Sequence, residues 1–150
     1  MSEVADIARL EVLDCADPGL VALLSGAGLP VSDLAGPGKQ FCGVRRDDGT
    51  LVAAGGLEIR GEAALLRSCV VAADRRGEGL GRTLVEALVL AAAEAGFSEL
   101  YLLTETAEAF FAALGFRVVD RARVPAAIAG LSQFVSVCPA SATAMTRRLA

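Results

Sequence analysis

The chain of 150 residues contains no histidine. That absence removes Ser-His-Asp and Cys-His catalysis, imidazole-ligated zinc and the commonest general base. Lysine is nearly absent too: Lys39 is the only one, and the other basic residues are arginines. Cys15, Cys42, Cys69 and Cys138 are widely spaced and form no CxxC pair, so reduced, mostly buried thiols are expected. Glu86 and Glu94 interrupt the richest apolar run, which leaves no stretch long enough to span a membrane. The opening residues MSEVADIARL carry acids and no basic n-region, unlike a secretory signal, and a cytoplasmic protein is expected. Any chemistry must therefore use carboxylates, hydroxyls, thiols, backbone groups or a bound cofactor, and no metal site is expected.

What is present is a composition with 54% hydrophobic residues, a net charge of −4 and a pI near 4.8. The first excludes a mainly disordered chain, and the acidic balance argues against a general nucleic-acid binder. The length suits one domain over residues 1–150, with no internal repeat or linker.

Taken in order, Ile7 to Leu13 alternate as a first strand, and Asp17-Pro18 starts a short helix that ends at Gly26. The glycine- and proline-rich text from Gly26 to Gly38 is a connection or a flap over a site. Phe41 to Arg46 and Leu51 to Arg60 flank Asp47-Asp48-Gly49, a hairpin turn, and Gly61-Glu62 leads into a third strand, Ala63 to Ala72. A helix follows from Gly81 to Ala95, with Leu80, Leu84, Leu88 and Ala91/Ala92 as its apolar stripe. Glu99 to Thr104 reads as a buried strand parallel to the one before the helix. Thr106 can cap a helix over Ala107 to Leu114, Phe116 to Asp120 is a strand, Val124 to Leu131 a short helix, and Ala142 to Leu149 a final edge strand.

The stretch Arg75-Arg76-Gly77-Glu78-Gly79-Leu80-Gly81-Arg82 stands between strand and helix. Its alternating glycines let a ligand approach the backbone, the helix start offers free N–H groups, and the arginines supply positive charge. Such a loop suits a pyrophosphate or a similar anion. A P-loop would need a lysine after its glycines, and a Rossmann unit would set them tight against the first strand of a parallel sheet.

The element order, with Arg76-Gly77-Glu78-Gly79-Leu80-Gly81 after the hydrophobic strand CVVA, resembles the GNAT N-acetyltransferase superfamily, whose acetyl-CoA motif is Arg/Gln-x-x-Gly-x-Gly/Ala. AEAFFAALGF, from Ala107 to Phe116, is similar to the family's second signature, an aromatic-rich helix ending in Leu-Gly-Phe. The resemblance implies a mixed α+β GNAT fold: a mostly antiparallel sheet of six to seven strands with one parallel pair, flanked by about four helices. Within the family, LLRS and LLTETAEAFFAALGF look closest to two branches, the acetyltransferase domain of N-acetylglutamate synthases and a group of small acetyltransferases associated with arsenic resistance. VPAAI and SVCPASA resemble the C-terminal part of the second branch. The implied activity is transfer from acetyl-CoA to the primary amine of a small, anionic, amino-acid-like substrate. Arsenic- or phosphinate-containing amino acids and glutamate-like metabolites are the candidates. The alternatives are a protein N-terminal or lysine acetyltransferase and a catalytically silent acyl-CoA-binding module. Homodimers are common in the superfamily.

The resemblance assigns CoA binding to Cys69, Val70, Val71 and residues 75–82, namely Arg75, Arg76, Gly77, Glu78, Gly79, Leu80, Gly81 and Arg82. It assigns polarisation of the thioester carbonyl to a backbone N–H, that of Val70. Leu65 stands where some members place a catalytic glutamate. Glu58, Glu62 and Glu105 remain as bases, with a solvated turn as the competing role of the first two and Glu105 favoured. Phe111 stands where many members have the tyrosine that protonates the leaving thiolate, and Tyr101, Ser136, Cys138 or solvent would replace it. Arg67, charged in the middle of an apolar strand, either forms a salt bridge or captures a substrate anion. Thr104, Thr106 and Ser136 complete the expected substrate pocket.

Overall fold

The computed structural model describes residues 10–77, 79–131 and 141–149. Strands β1 (Leu10–Leu13), β2 (Lys39–Arg45), β3 (Leu51–Arg60) and β4 (Ala63–Val71) are successive antiparallel neighbours. Asp48 holds the first hairpin turn by accepting the Thr50 N–H at 2.9 Å. The second turn, Gly61-Glu62, closes β3 onto β4 with Arg60 opposite Ala63. Helix α2 (Leu80–Glu94) then crosses one face of the sheet to β5 (Glu99–Thr104), which lies parallel to β4.

Strand β7 (Thr143–Arg148) lies between β5 and the two-residue β6 (Arg117–Val118), so the sheet order is β1-β2-β3-β4-β5-β7-β6. The expected edge position of the last strand is thus corrected. It has an antiparallel neighbour on each side, and its buried residues Ala144, Met145 and Thr146 need both. The fold is mixed α+β, with a mostly antiparallel sheet, one parallel pair and four helices among the described residues.

Helices cover both faces. On one, α2 buries Leu80, Leu84, Val85, Leu88, Val89 and Ala92, while Ala91 faces solvent rather than the core. Each such leucine or valine contributes about 1.5–3 kcal/mol on full burial. Gly55 of β3 allows the close approach, since a Cβ there would stand 2.8 Å from Leu88 Cδ1. Helix α3 (Glu108–Ala113) brings Phe111 and the following Phe116 into the same core. On the other face, α1 (Pro18–Gly26) packs Leu20 and Leu24 against Phe41, Ala54 and Val70. The short α4 (Ala126–Ala129) sets Ile128 against Leu65 and Tyr101.

Helix α1 starts as its Asp-Pro pair predicts. Asp17 accepts the N–H groups of Gly19 at 2.8 Å and Leu20 at 3.2 Å and also pairs with Arg45. Burial raises the Asp17 carboxyl, but the Leu20 N–H, the Arg45 guanidinium and the Gly19 N–H outweigh it and leave it below the usual value. A carboxyl held low in the folded state stabilises the fold above its unfolded value, and that stabilisation is lost as pH falls through the folded value. Asp17→Ala is expected to lower stability by about 1 kcal/mol at neutral pH. In urea titrations the gap between variant and wild type should close in acid below the ordinary carboxylate range.

Candidate active site

Strands β4 and β5 pair only at Ala64–Leu100 and Leu65–Tyr101. Beyond that point they part. On the other edge of β4, Ser68 and Cys69 together oppose the single residue Gly55, a β-bulge that bends the strand. Ser68 takes a left-handed φ of +58°, and no other described non-glycine residue has a positive φ. The parted strands enclose an open cleft of about 910 Å³, lined by residues 66–71 on one side and 102–107 on the other.

One end of the cleft is the glycine loop. After a single 3₁₀ turn at Ala73–Arg75, Gly77 has φ +86° and Gly79 φ +80°. Gly79 is the N-cap of α2 and offers no side chain to the first turn, so the N–H groups there are left for a ligand. Cys69, Val70, Val71, Arg75, Arg76, Gly77, Gly79, Leu80, Gly81 and Arg82 all line the cleft. Glu78 lies outside the described residues. A left-handed glycine at the cap, a helix start and three arginines fit the pyrophosphate of CoA.

The register corrects the assignment of Val70. The Ala72 N–H donates to the Val52 carbonyl of β3 at 2.7 Å. Antiparallel bonding alternates, so Val70, opposite Ala54, also directs its N–H at β3. Its side chain sits in the core with Leu20 and Leu24. The same alternation turns the polar groups of Val71, and the N–H of Cys69 two residues earlier, toward the cleft. Arg76 Nε accordingly donates to the Val71 carbonyl at 3.2 Å. The amides that face the cleft are therefore those of Cys69 and Val71, and that of Val70 is turned to β3.

The opposite end of the cleft reaches the α1 face, where Ala27, Gly28, Leu29 and Pro30 form a wall that sequence reasoning left as a connection or flap. Below it lies Arg67. Its side chain has 0% exposure and donates from Nη1 to Glu58 Oε1 and from Nη2 to Asp33 Oδ1, each at 2.8 Å. Of the two roles expected for Arg67, the structure contains the salt bridge, with each guanidinium nitrogen engaged by a protein group, and Arg67 also lines the cleft. Glu58 is corrected. It is 1% exposed rather than part of a solvated turn, because β3 continues to Arg60 and Glu58 faces Leu65 within the sheet. The signal was available: the Arg60–Ala63 turn register puts Gly56 opposite Arg67 and Glu58 opposite Leu65. Asp33 gave no such signal. Removing one member of such a buried pair typically costs about 3–5 kcal/mol.

Glu105 and Thr106 are exposed and line the cleft, as does Thr104. Thr104, not Thr106, supports α3, since its Oγ1 accepts the Ala107 N–H at 3.0 Å. Ser136 and Cys138 lie outside the described residues. Tyr101 is removed from the candidate acids: its hydroxyl donates to Glu99 at 3.4 Å, and it lines a separate pocket beside Pro125 and Ala127. Glu62 belongs to that second pocket too. Phe111 is buried, edge-on to Phe110 and Phe116, and closes the α3 side of the cleft. Phe110, which sequence reasoning did not single out, also lines the cleft, and its Cζ stands 3.4 Å from where a Gly81 Cβ would be. Among the described residues no cluster of His, Cys, Asp and Glu could hold a metal ion.

Two thiols flank Gly55 on the α2 face. Burial pushes Cys69 up to about 12, assisted by Cys42, against an opposing Gly56 N–H, and burial alone pushes Cys42 up to about 11. Both are protonated at neutral pH and neither is a nucleophile. Cys69→Ala should keep activity within about threefold of wild type, because the backbone N–H is retained and no acyl-cysteine forms. Arg76→Glu should weaken CoA binding about tenfold in low-salt calorimetry, with the loss shrinking as salt rises.

Residues 21–116, more than half of the chain, match the sequence profile of the acetyltransferase (GNAT) family. No curated protein matches the chain. Among solved structures, an acetyltransferase of the GNAT family from Staphylococcus aureus superposes with a TM-score of 0.74 and 17% identity, over 94% of this chain and 99% of its own. N-acetylglutamate synthase from Neisseria gonorrhoeae, complexed with coenzyme A and N-acetyl-glutamate, gives 0.73 and 18% over 94% of this chain, which spans 35% of that protein's chain. An aminoglycoside 6'-N-acetyltransferase complexed with coenzyme A gives 0.68 and 17%, over 94% of this chain and 97% of its own. At such identities the likeness is one of fold. The sequence match, which includes both the glycine loop and Leu114-Gly115-Phe116, goes further: the chain belongs to the acetyltransferase (GNAT) family.

Proposed function

We propose that this acetyltransferase moves the acetyl group of acetyl-CoA onto the primary amine of a small, amino-acid-like acceptor by direct attack. The observation that supports it best is the cleft through the sheet. The glycine loop and α2 reach it from one face and the 27–30 wall from the other, with β4 between them. Acetyl-CoA supplies an activated carbonyl along β4. The amide N–H groups of Cys69 and Val71 steady the oxygen that gains charge as the amine adds. The C–N bond forms, the C–S bond breaks, the CoA thiolate leaves with the electron pair, and the nitrogen gives up its second proton to solvent as the amide forms.

The amine must first lose its proton, since an ammonium has no lone pair. Glu105 is the exposed carboxylate of the cleft and takes this role directly or through one water. Phe111 has no proton to give, so solvent protonates the thiolate, a good leaving group.

The finer assignment, to a glutamate-like metabolite or an arsenic- or phosphinate-containing amino acid, rests on the sequence resemblance. Its expected anchor, Arg67, is already engaged by two carboxylates. Ser68 and Thr104 offer a substitute. Each hydroxyl oxygen accepts a bond from the protein, which leaves its proton to be donated to an acceptor carboxylate.

Thiol release from acetyl-CoA across a panel of amino acids, amines and peptides tests the assignment. Small amino-acid-like amines should turn over fastest, with intersecting initial-rate lines and no acetyl-enzyme. Faster turnover of peptide N-termini or lysines would make it a protein acetyltransferase. No turnover, despite thermal stabilisation by CoA, would make it a silent binding module, the alternative that Leu65 and Phe111 motivate. Glu105→Gln should lower kcat/KM for the amine by about a hundredfold at neutral pH, and less at alkaline pH, where the amine is already neutral. An unchanged rate would exclude Glu105 as the base.

A further inference from the structure

The Arg67 guanidinium joins three parts of the site. Nη1 meets Glu58 in the centre of the sheet, Nη2 meets Asp33, and Nε donates to Ser68 Oγ at 3.2 Å. Its carbon stands 5.6 Å from the centre of the Phe41 ring. Ser68 is the bulge residue at which β4 bends, one residue before the Cys69 amide. Asp33 belongs to the connection between α1 and β2, the same connection whose 27–30 stretch walls the cleft.

That connection is pinned along its length. Leu29 donates to the Leu24 carbonyl at 2.9 Å, Leu34 is buried against α1, and Lys39 Nζ donates to the carbonyls of Asp33 at 2.6 Å and Ala35 at 3.1 Å. Among these contacts, the Asp33–Arg67 bond is the one that ties the connection to β4 by charge. The two groups are 8% and 0% exposed at the side chain, so solvent screens the bond little.

Apolar residues of equal volume would stabilise a sheet face as well as a buried ion-pair triad does, so what the triad adds is geometry. A guanidinium holds its partners in one plane and along fixed directions. We propose that Arg67 is a positioning residue. Through Asp33 and Ser68 it locks the acceptor wall to the bulged strand, so that an amine resting on the wall meets the thioester at a set distance and angle. Misplacement of reacting groups by even about 1 Å is expensive in rate. The assignment of the wall to the acceptor rests on the function proposed above; the mechanical coupling does not.

Asp33→Asn tests it, because the side chain keeps its size and loses the charge. Hydrogen exchange should accelerate throughout by the common factor of the lost stability, and the 27–38 amides should accelerate about tenfold more than those of α2 and β3. CoA affinity should stay within about twofold by calorimetry. With L-glutamate, or the fastest amine of the panel, KM for the amine should rise about tenfold and KM for acetyl-CoA should not change. Arg67→Lys keeps the charge without the fork and should show the same regional pattern. Exchange that stays at the wild-type rate in 27–38, or accelerates equally throughout the chain, overturns the proposal. So does a loss of CoA affinity that matches the loss for the amine. If no amine is a substrate but exchange still rises more in 27–38 than in α2 and β3, the coupling stands and only the proposed function fails.

Discussion

The site depends on a single extra residue in β4. Up to Leu65 that strand is an ordinary member of the sheet, paired with β3 on one edge and β5 on the other. The bulge at Ser68 and Cys69 then turns it, and backbone groups that would have bonded β5 face an open cleft instead. A buried strand edge with unsatisfied amides is ordinarily a fault. Here the unsatisfied edge becomes the surface on which an extended ligand can complete the sheet, as an added strand would.

Around that opening the positive charge gathers at the glycine loop. The glycine loop carries Arg75, Arg76 and Arg82, and the field of α2 adds to theirs. Glu105 lines the cleft in the open just after β5, while toward the α1 face Arg67 is paired with Glu58 and Asp33. So acidic a chain can still present a positive field at the loop, because its net charge is not the local charge.

The chemistry available is narrow. With no histidine in the chain and the thiols of Cys42 and Cys69 held protonated by burial, covalent catalysis has no nucleophile among these groups. Direct attack within a ternary complex needs little beyond position, two amides and removal of two protons from the nitrogen, one before attack and one as the amide forms. A scaffold that fixes position is then the main catalytic asset, which gives the buried Arg67 triad its importance.

Much of this is visible in the residues themselves. The hairpin turns Asp47-Asp48-Gly49 and Gly61-Glu62, the cap at Asp17 and the Gly77/Gly79/Gly81 alternation are local signals, because turn and cap chemistry acts over a few residues. They determined the order of strands and helices and the place of the anion loop. Four things were decided only when the sheet assembled. The bulge assigned the cleft-facing amides to Cys69 and Val71 rather than Val70, because a one-residue insertion reverses every bond direction beyond it. The insertion of β7 between β5 and β6 moved the last strand from the edge to the interior, and the packing of Tyr101 toward α4 took its hydroxyl away from the cleft. Asp33 came to Arg67 across 34 positions of sequence, and no local pattern specifies a partner at that distance. The sequence alone determined what the loop can hold; the tertiary structure decided which backbone groups face it and what holds the opposite wall in place.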